Sequence, residues 1–439
     1  MEGQEGGVDR ARRIRQSADH VLRGEPMDRR LAHVREVTPG ARTVAERAGG
    51  TVTRAFAPRA GAALSGGRGT VRRTRWILAL LALSILLVAC SKSAPQNTMN
   101  PKGPTAQTEK NLLVLVLWPA AAVFVIVEGG ILLISIRFRH RKDRDRMPPQ
   151  IHGNTRLEIG WTIAPAIVLA VIMVPTVSTI WQLARQPADA MQITVEGYQW
   201  WWGFRYTDPD MTVSYGDHDA IVTADVMVIP AGRTIDLSLT SLGGGAHSTS
   251  GVPDHEVIHS FWAPQLFGKQ DVIPGETNHI VFSADEPGVY WGQCAEFCGL
   301  QHGKMKFRIS ALDEADWQRW VANQKDPAVK PTVGAAQQGM DLFFGTNGVG
   351  GQCIQCHGVG GTAASSTAAP NLTHFAATTH ECFAGCDFQV FNPDGTPNVE
   401  ALKAWLRDPN AVKLGAKMPD YGLTEQQIDT LVAYLYSLK

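Results

Sequence analysis

Two long apolar runs dominate the first half of the chain. One covers residues 112–136 and carries a single charge, Glu128, and the other covers residues 161–181 and carries none. A helix that crosses a bilayer needs about 20 mostly apolar residues. Each run therefore predicts a membrane span, and together they predict a transmembrane hairpin over residues 105–185.

The segment between the two runs sets the orientation of this hairpin. It reads RFRHRKDRDR over residues 137–146 and is rich in arginine. Short loops rich in Lys and Arg stay on the cytoplasmic side of a membrane. Both ends of the hairpin, and everything after it, are therefore expected outside.

The pattern changes to strands after the second run. Residues 191–206, 220–232 and 233–241 alternate apolar and polar positions, are rich in β-branched and aromatic side chains, and are separated by turn residues. Such a region is typical of an all-β sandwich or barrel. We expect this domain to occupy residues 190–312.

A polar segment follows, and then the pattern becomes helical. Residues 313–332 contain Pro327 and Pro331 and predict a linker, after which residues 333–439 predict an all-α domain. Near its end, Thr424 and Gln427 stand three apart, as in a capping box, directly before apolar residues at helical spacing.

Composition adds little to this plan except at the N-terminus. The 439 residues fit two to four domains, and 41 Lys and Arg balance 41 Asp and Glu, so nothing favours a nucleic-acid partner. Residues 1–70 have no apolar periodicity that could build a core. We interpret them as a disordered extension or as an over-long start of translation.

A signal-like segment covers residues 71–90. Three arginines precede an apolar stretch that ends in Leu87-Val88-Ala89-Cys90. This segment resembles a bacterial lipoprotein signal, in which the lipidated Cys90 becomes the mature N-terminus. The alternative is an uncleaved membrane anchor with a chance cysteine. Both interpretations place the chain outside the cytoplasm.

Apart from Cys90, the cysteines fall into three close pairs, of which the first stands in GQCAEFCGLQHGKM. Cys294 and Cys298 share this stretch with His302 and Met305. Thiolate, imidazole and thioether form a ligand set suited to copper or zinc, and structural zinc sites seldom use methionine. Two cysteines can bridge two copper ions, with a second histidine from another strand. His259 is the candidate. A disulfide is the alternative, and it would leave both histidines and Met305 unexplained.

This Cys-x3-Cys-x3-His-x2-Met pattern, preceded by the VIHSF stretch, resembles the dinuclear copper A centre of cytochrome c oxidase subunit II. The resemblance covers about residues 105–312 and implies a cupredoxin sandwich for the β-domain. It implies that Cys294 and Cys298 bridge the coppers, that His259 and His302 bind one each, and that Met305 is a weak ligand. It also implies that Glu296 binds copper through its carbonyl and magnesium through its side chain, at the boundary with subunit I.

The same resemblance suggests roles for three further residues. Trp200, in the Trp200-Trp201-Trp202 stretch, matches the tryptophan that receives electrons from cytochrome c, although tryptophans in this pattern also fill a sandwich core. Glu158 matches the glutamate at the entrance of a proton path into subunit I, although an acid at a helix end is often only solvated there. Glu128 is expected to contact subunit I, because a charge in lipid is costly.

The helical domain carries a second motif, Cys353-Ile354-Gln355-Cys356-His357. C-x-x-C-H is typical of covalent haem c attachment, with the histidine as iron ligand. Met418 lies where the sixth ligand of small cytochromes c is expected, whereas Met340 precedes the motif and is interpreted as core. The last pair, Cys382 and Cys386, lacks a following histidine and predicts a short-loop disulfide rather than a metal site.

As a whole, the chain resembles subunit II of a caa-type cytochrome c oxidase, with a class I cytochrome c domain fused behind the copper domain. The resemblance implies electron flow from a cytochrome c or an upstream respiratory complex through haem c and copper A to subunit I. It implies subunits I and III as partners, oxygen reduction coupled to proton translocation, and a multi-pass location in the bacterial plasma membrane. A quinol oxidase subunit II would lack the copper ligands. A copper A nitric oxide reductase subunit and a non-enzymatic, membrane-anchored electron carrier remain as alternatives.

Overall fold

The computed structural model describes residues 94–139, 150, 152–213, 220–241, 257–346, 348, 350–378 and 382–439. The predicted N-terminal extension, the signal segment with Cys90 and most of the arginine-rich loop lie outside the described residues.

Two long helices match the predicted spans. Helix α1 runs over Pro104–Arg137 and helix α2 over Thr155–Leu183, with mean hydropathies of 2.4 and 2.2 in their most apolar windows. The apolar side chains of both helices are largely exposed in the isolated chain. Such surfaces need lipid or another membrane subunit to cover them.

The β-domain is a sandwich of two five-stranded sheets within the described residues. The strands are β1 Met191–Tyr198, β2 Trp201–Tyr206, β3 Val222–Ala224, β4 Val226–Pro230, β5 Ile235–Ser241, β6 His259–Ala263, β7 Phe267–Val272, β8 Asn278–Phe282, β9 Gly288–Cys294 and β10 Lys306–Leu312. One sheet has the order β3-β2-β1-β5-β8 and the other β4-β10-β9-β6-β7. The predicted all-β cupredoxin-type fold is confirmed.

Aromatic side chains from both sheets fill the space between them. Trp202 and Phe204 on β2 meet Phe261 on β6 and Phe307 on β10, with ring centroids 5.0–6.2 Å apart, and Phe261 stacks on Phe307 at 4.0 Å. All four are fully buried. Such aromatic pairs add about 0.5–1.5 kcal/mol each to the area that they bury. This rigid core ends directly beneath the cysteine-rich loop.

The segment predicted as a linker, 313–332, differs from that expectation in its first half. Residues Glu314–Lys325 form helix α3, which begins at an N-cap in which the Asp313 side chain accepts from Asp316 N. Trp317 is buried in the core of the sandwich, and Trp320 packs on Tyr206. The linker prediction was based on the polar residues of this segment. Two tryptophans on one helix face decide its packing instead.

The C-terminal domain is helical, as predicted. Its helices are α4 Gly334–Phe344, α5 Phe375–Thr378, α6 Val399–Arg407, α7 Pro409–Val412 and α8 Glu425–Leu435. Helix α8 begins at the predicted capping box, in which Thr424 and Gln427 each accept from the other's backbone N–H. Its apolar face packs on α4 and α6 in a separate core that includes Phe343, Leu402 and Leu431.

Candidate metal and haem sites

The cysteine-rich loop joins β9 to β10 and is fixed by hydrogen bonds at its base. Cys294 N donates to Met305 O (2.9 Å), and Ala295 N donates to Ser260 O on the neighbouring strand (2.9 Å). These bonds place Cys294 beside His259, the first residue of β6. The structure thus brings together residues that are 35 positions apart in sequence.

The side chains of this loop form one compact set of donor atoms. Cys294 Sγ lies 3.7 Å from Cys298 Sγ and 3.9 Å from His259 Nδ1. Cys298 Sγ lies 3.8 Å from His302 Nδ1 and 3.8 Å from Met305 Sδ. The carbonyl oxygen of Glu296 lies 3.2 Å from Cys294 Sγ. All six predicted ligand groups therefore converge.

These spacings fit a bound metal better than a disulfide. A disulfide holds its sulfurs about 2.05 Å apart, and both cysteines are free here. Sulfur and nitrogen ligands bind at about 2.0–2.3 Å, so two ligands of one tetrahedral ion lie about 3.3–3.8 Å apart. Both thiols, His259 and Met305 are buried, so the set is shielded from water. Soft ligands in such a place favour copper.

The two thiols share a hydrogen bond. This hydrogen bond lowers the pKa of Cys294, with smaller help from His259 and two backbone groups. The same hydrogen bond, together with burial and the neighbouring thiolate charge, raises the pKa of Cys298. A cation that replaces the shared proton would be held by both sulfurs.

Small and aromatic residues of the first sheet shape the wall beside His259. A Cβ at Gly197 would lie 3.0 Å from His259 Cδ2, so this position has little room for a side chain. The indole of Trp202 meets the imidazole edge-on, with centroids 5.6 Å apart. The imidazole is thus held in place from one side, which leaves its Nδ1 facing Cys294.

The three consecutive tryptophans have three different environments. Trp202 is fully buried in the sandwich core, and Trp201 stacks on Tyr198. The indole N–H of Trp200 donates to the carbonyl of Cys298 (2.9 Å), and Gln199 donates to the same oxygen (2.8 Å). Of the three, Trp200 is the one bonded to the cysteine loop. Apart from the position of Gln199 next to Trp200, nothing in the sequence indicated that its side chain would bind the cysteine-rich loop.

The second site surrounds the C-x-x-C-H motif. Cys353–Gln355 form a short 3-10 turn, and Cys353 and Cys356 are free and half-buried. His357 Nδ1 donates to Pro370 O (2.8 Å), which leaves Nε2 as the nitrogen that can bind iron. Burial lowers the pKa of His357, which favours the neutral ligand form.

Met418 and Met340 both pack, partly buried, against the core of the helical domain. Met340 lies within helix α4, before the motif, in keeping with a core position. Met418 lies in the irregular segment before α8. Two thiols, an oriented imidazole and a thioether around an apolar core suit a covalently attached haem.

The remaining predicted residues contribute no group to either set of donor atoms. The carboxylate of Glu158, in the first turn of α2, accepts from Asn154 N (3.2 Å) and so caps that helix. Glu128 is exposed on α1 in the isolated chain. A disulfide joins Cys382 and Cys386. Among the described residues, His259, Cys294 and Cys298 form a group of three close metal-binding side chains, and no such group includes Glu296.

Comparisons with known proteins agree with this three-part plan. Residues 93–179 match the family described as cytochrome C oxidase subunit II, transmembrane domain, and residues 191–312 match its periplasmic domain. Residues 336–439 match the cytochrome c family. Membership of these families implies, in general terms, copper A and haem c binding in a membrane-anchored protein with a periplasmic domain.

Individual relatives cover most of the chain. Cytochrome c oxidase subunit 2 of Alkalihalophilus pseudofirmus is 34% identical over 82% of this chain and 96% of its own length. Quinol oxidase subunit 2 of Bacillus spizizenii is 31% identical over 58% of this chain and 74% of its own length. The periplasmic domain of subunit II of cytochrome oxidase from Bradyrhizobium japonicum is 26% identical, with a TM-score of 0.26 over 32% of this chain and 96% of that chain.

Proposed function

Because this chain belongs to the cytochrome c oxidase subunit II family, we propose that it is the electron-input subunit of a haem–copper oxidase. It takes electrons from a cytochrome c-type donor and passes them to the haems of subunit I. There, oxygen is reduced to water and protons are translocated. The single observation that supports this proposal best is the convergence of six copper-binding groups at the β9–β10 loop.

Each cofactor has a defined set of residues to hold it. The copper pair would be held by His259, Cys294, Cys298, His302, Met305 and the carbonyl of Glu296, and haem c by Cys353, Cys356, His357 and Met418. When bound, these groups supply reversible one-electron transfer. The protein contributes burial and fixed ligands, since both limit the rearrangement that accompanies each change of charge.

Two residues would connect the chain to its partners. Trp200 is the candidate for receiving electrons, because its indole is hydrogen-bonded to the backbone of Cys298. Glu158 is the candidate for the proton-path entrance in subunit I. Its capping bond to Asn154 also supports the simpler role of stabilising the helix end.

The assembly is proposed to sit in the bacterial plasma membrane, with the copper and haem domains outside. Subunit I is the partner that the family implies, and subunit III is a further proposed partner. Magnesium at the Glu296 side chain stays a prediction. Among the described residues, Glu296 does not belong to a close group of metal-binding side chains.

Three other functions are alternatives to this one. A copper A nitric oxide reductase would use a similar electron-input subunit, and the identity of the companion catalytic subunit separates the two. A non-enzymatic electron carrier would be stable alone, whereas Glu158, Glu296 and the two spans together favour assembly with another membrane subunit. A quinol oxidase subunit is disfavoured, because every copper ligand is present in this chain.

The test is metal analysis with optical and EPR spectroscopy on the full chain, purified with its membrane partners. We expect one haem c and a pair of copper ions per chain, with a mixed-valence paired-copper signal. Haem without paired copper would overturn the copper A assignment. A companion subunit that reduces nitric oxide but not oxygen would select the first alternative.

A further inference from the structure

The loop closed by Cys382 and Cys386 contacts the cores of both domains: Phe383 packs against the helical core, whereas the two cysteines pack in the core of the β-domain. Both cysteines are buried, at 1% and 6% exposure, among the sandwich residues rather than in the separate helical core. Next to them, Asp387 pairs with Lys306 of β10 (2.6 Å). The disulfide loop, residues 382–387, is therefore a docking element between the two domains.

Gly385 makes the closest approach in this loop. Its φ of +91° is in the left-handed region. A Cβ there would collide with the carbonyl oxygen of Lys304 in the cysteine-rich loop between β9 and β10, which we call the copper loop. Its N–H donates to Asp225 Oδ2 (3.1 Å). A glycine at this position thus satisfies both the backbone conformation and the lack of space.

Asp225 is a buried carboxylate that faces both domains. It lies between β3 and β4 with 4% exposure, and its other oxygen accepts from Trp202 N (2.9 Å). From the helical domain, Lys413 brings a second buried charge, with 7% exposure, and its Nζ donates to the carbonyl of Trp200 (2.6 Å).

The two charges compensate one another across the interface. Burial raises the pKa of Asp225 and lowers the pKa of Lys413, and the charge of each group acts against the shift of the other. An unpaired buried charge is costly, so any docking that separated these two groups from each other and from water would be unfavourable. The pair therefore selects one arrangement of the domains over others.

In this arrangement the helical domain covers Trp200. A Cβ at Gly415 would lie 3.2 Å from Trp200 Cζ3, and one at Gly299 of the copper loop would lie 3.1 Å from Trp200 Cζ2. Beside them, Gln301 donates to the carbonyl of Leu414. The indole is thus enclosed between the copper loop and the segment that leads to Met418.

We propose that Asp225, Lys413 and the disulfide loop 382–387 are positioning elements that dock the chain's own cytochrome c domain on Trp200. External donors are then excluded from this tryptophan and must deliver their electrons to haem c. Bound haem c and copper A would supply the one-electron transfer between the two domains, in which the haem would be oxidised, the copper pair would be reduced and no proton would move. The roles of Trp200 and the cofactors in this inference rest on the proposed function.

The experiment uses the full chain in its assembled oxidase with two interface variants and two matched controls. Gly385→Ala introduces the collision with Lys304, and Lys413→Met removes the ammonium while keeping the side-chain length. Gly334→Ala is the first control, because Gly334 also has a left-handed φ (+75°) but has open space around it. Lys330→Met at an exposed lysine is the second.

Two readouts are measured on each variant. Hydrogen–deuterium exchange follows peptides that cover residues 298–304, 382–388 and 411–416, and flash reduction of haem c follows electron transfer to copper. Both interface variants are expected to exchange at least tenfold faster in these peptides and to transfer electrons at least tenfold more slowly. Both controls are expected to behave as the wild type does.

Two results would overturn the docking inference. One is exchange in both interface variants equal to that of the controls, and the other is faster exchange with an unchanged transfer rate. A folded variant is recognised by its unchanged haem spectrum. If only one interface variant folds, the comparison of that variant with its control decides whether the docking inference holds. Missing copper or haem in the wild type would refute the proposed function instead, while the exchange measurement would still test docking.

Discussion

The chain contains two Cys-x3-Cys pairs with different outcomes. Cys382 and Cys386 lie in a turn where Ala384, Gly385 and Cys386 all have positive φ, and there a disulfide forms. Cys294 and Cys298 lie in a loop tied at its base to β6 and β10, and their sulfurs stay 3.7 Å apart. Backbone conformation, rather than spacing, separates a crosslink from a ligand pair.

Replacing one bridging thiol should destroy the paired-copper centre and spare haem c. We expect Cys298→Ser to lose the mixed-valence EPR signal, because a hydroxyl is a harder and weaker ligand for copper than a thiolate. Copper content and EPR spectra of the purified chain measure this effect. Phe297→Ala, at a neighbour that is 76% exposed, is the control and should keep both copper ions. An intact signal in Cys298→Ser would contradict the bridging role.

Neighbouring tryptophans should respond differently to substitution. Trp202→Ala should lower the free energy of unfolding by about 3–5 kcal/mol, because Trp202 is fully buried. Trp200→Phe should change stability by less, since Trp200 is only partly buried, but should slow electron transfer from haem c to copper. Thermal unfolding and flash reduction separate the two effects. Equal transfer rates in Trp200→Phe and the wild type would argue against its electron-receiving role.

At the scale of elements, helix α3 closes the sandwich after β10. Trp317 and Trp320 stack on one another, and Trp317 reaches the core. Lys325, at the end of the helix, donates to the carbonyl of Asp210 on the β-domain (2.6 Å). The covalent connection to the helical domain is therefore shorter than the predicted linker, which restricts how far that domain can move.

The capping box of α8 should contribute measurably to stability. Thr424→Ala removes the side-chain oxygen that accepts from Gln427 N (3.3 Å) and should cost about 1 kcal/mol. Calorimetry of the helical-domain transition in the full chain measures the cost. Gln426→Ala, two positions further along at an exposed site, is the control and should be close to neutral. Equal losses in both variants would show that the cap does not act as described.

At the scale of the whole molecule, the proposed function makes the hairpin and the two domains after it a route for electrons from a donor to the membrane. The fused domain converts an encounter between two proteins into an intramolecular one, and a short flexible tether alone gives an effective concentration of roughly millimolar. The buried contacts around Asp225 add a defined geometry to that proximity. Haem c and the copper loop are then presented to each other by one chain.

The orientation of the hairpin can be tested directly. In intact spheroplasts, a membrane-impermeant maleimide should label Lys330→Cys strongly and Lys142→Cys only after permeabilisation, because arginine-rich loops stay inside. The wild-type chain is the control for labelling of native cysteines. Labelling of Lys142→Cys without permeabilisation would show that the predicted orientation is wrong.

Local patterns in the sequence determined the parts of this protein that act locally. Apolar runs of sufficient length predicted both spans, alternation predicted the sandwich, and close spacing revealed the copper loop and the C-x-x-C-H motif. These features depend on residues near one another in the chain, so their periodicity and chemistry can be recognised without a fold. His259 was found at a distance because its residue type completes the ligand set.

Contacts between distant segments were decided by the tertiary structure alone. Asp225 is an isolated acid in an apolar run, and Lys413 lies shortly before Met418. Each gave only a weak signal in the sequence, and neither residue indicated the other. The sequence of the disulfide loop likewise did not indicate which domain the loop contacts. Burial and charge compensation between such segments depend on which surfaces meet. Packing, which no local pattern encodes, therefore decided how the cytochrome c domain covers Trp200.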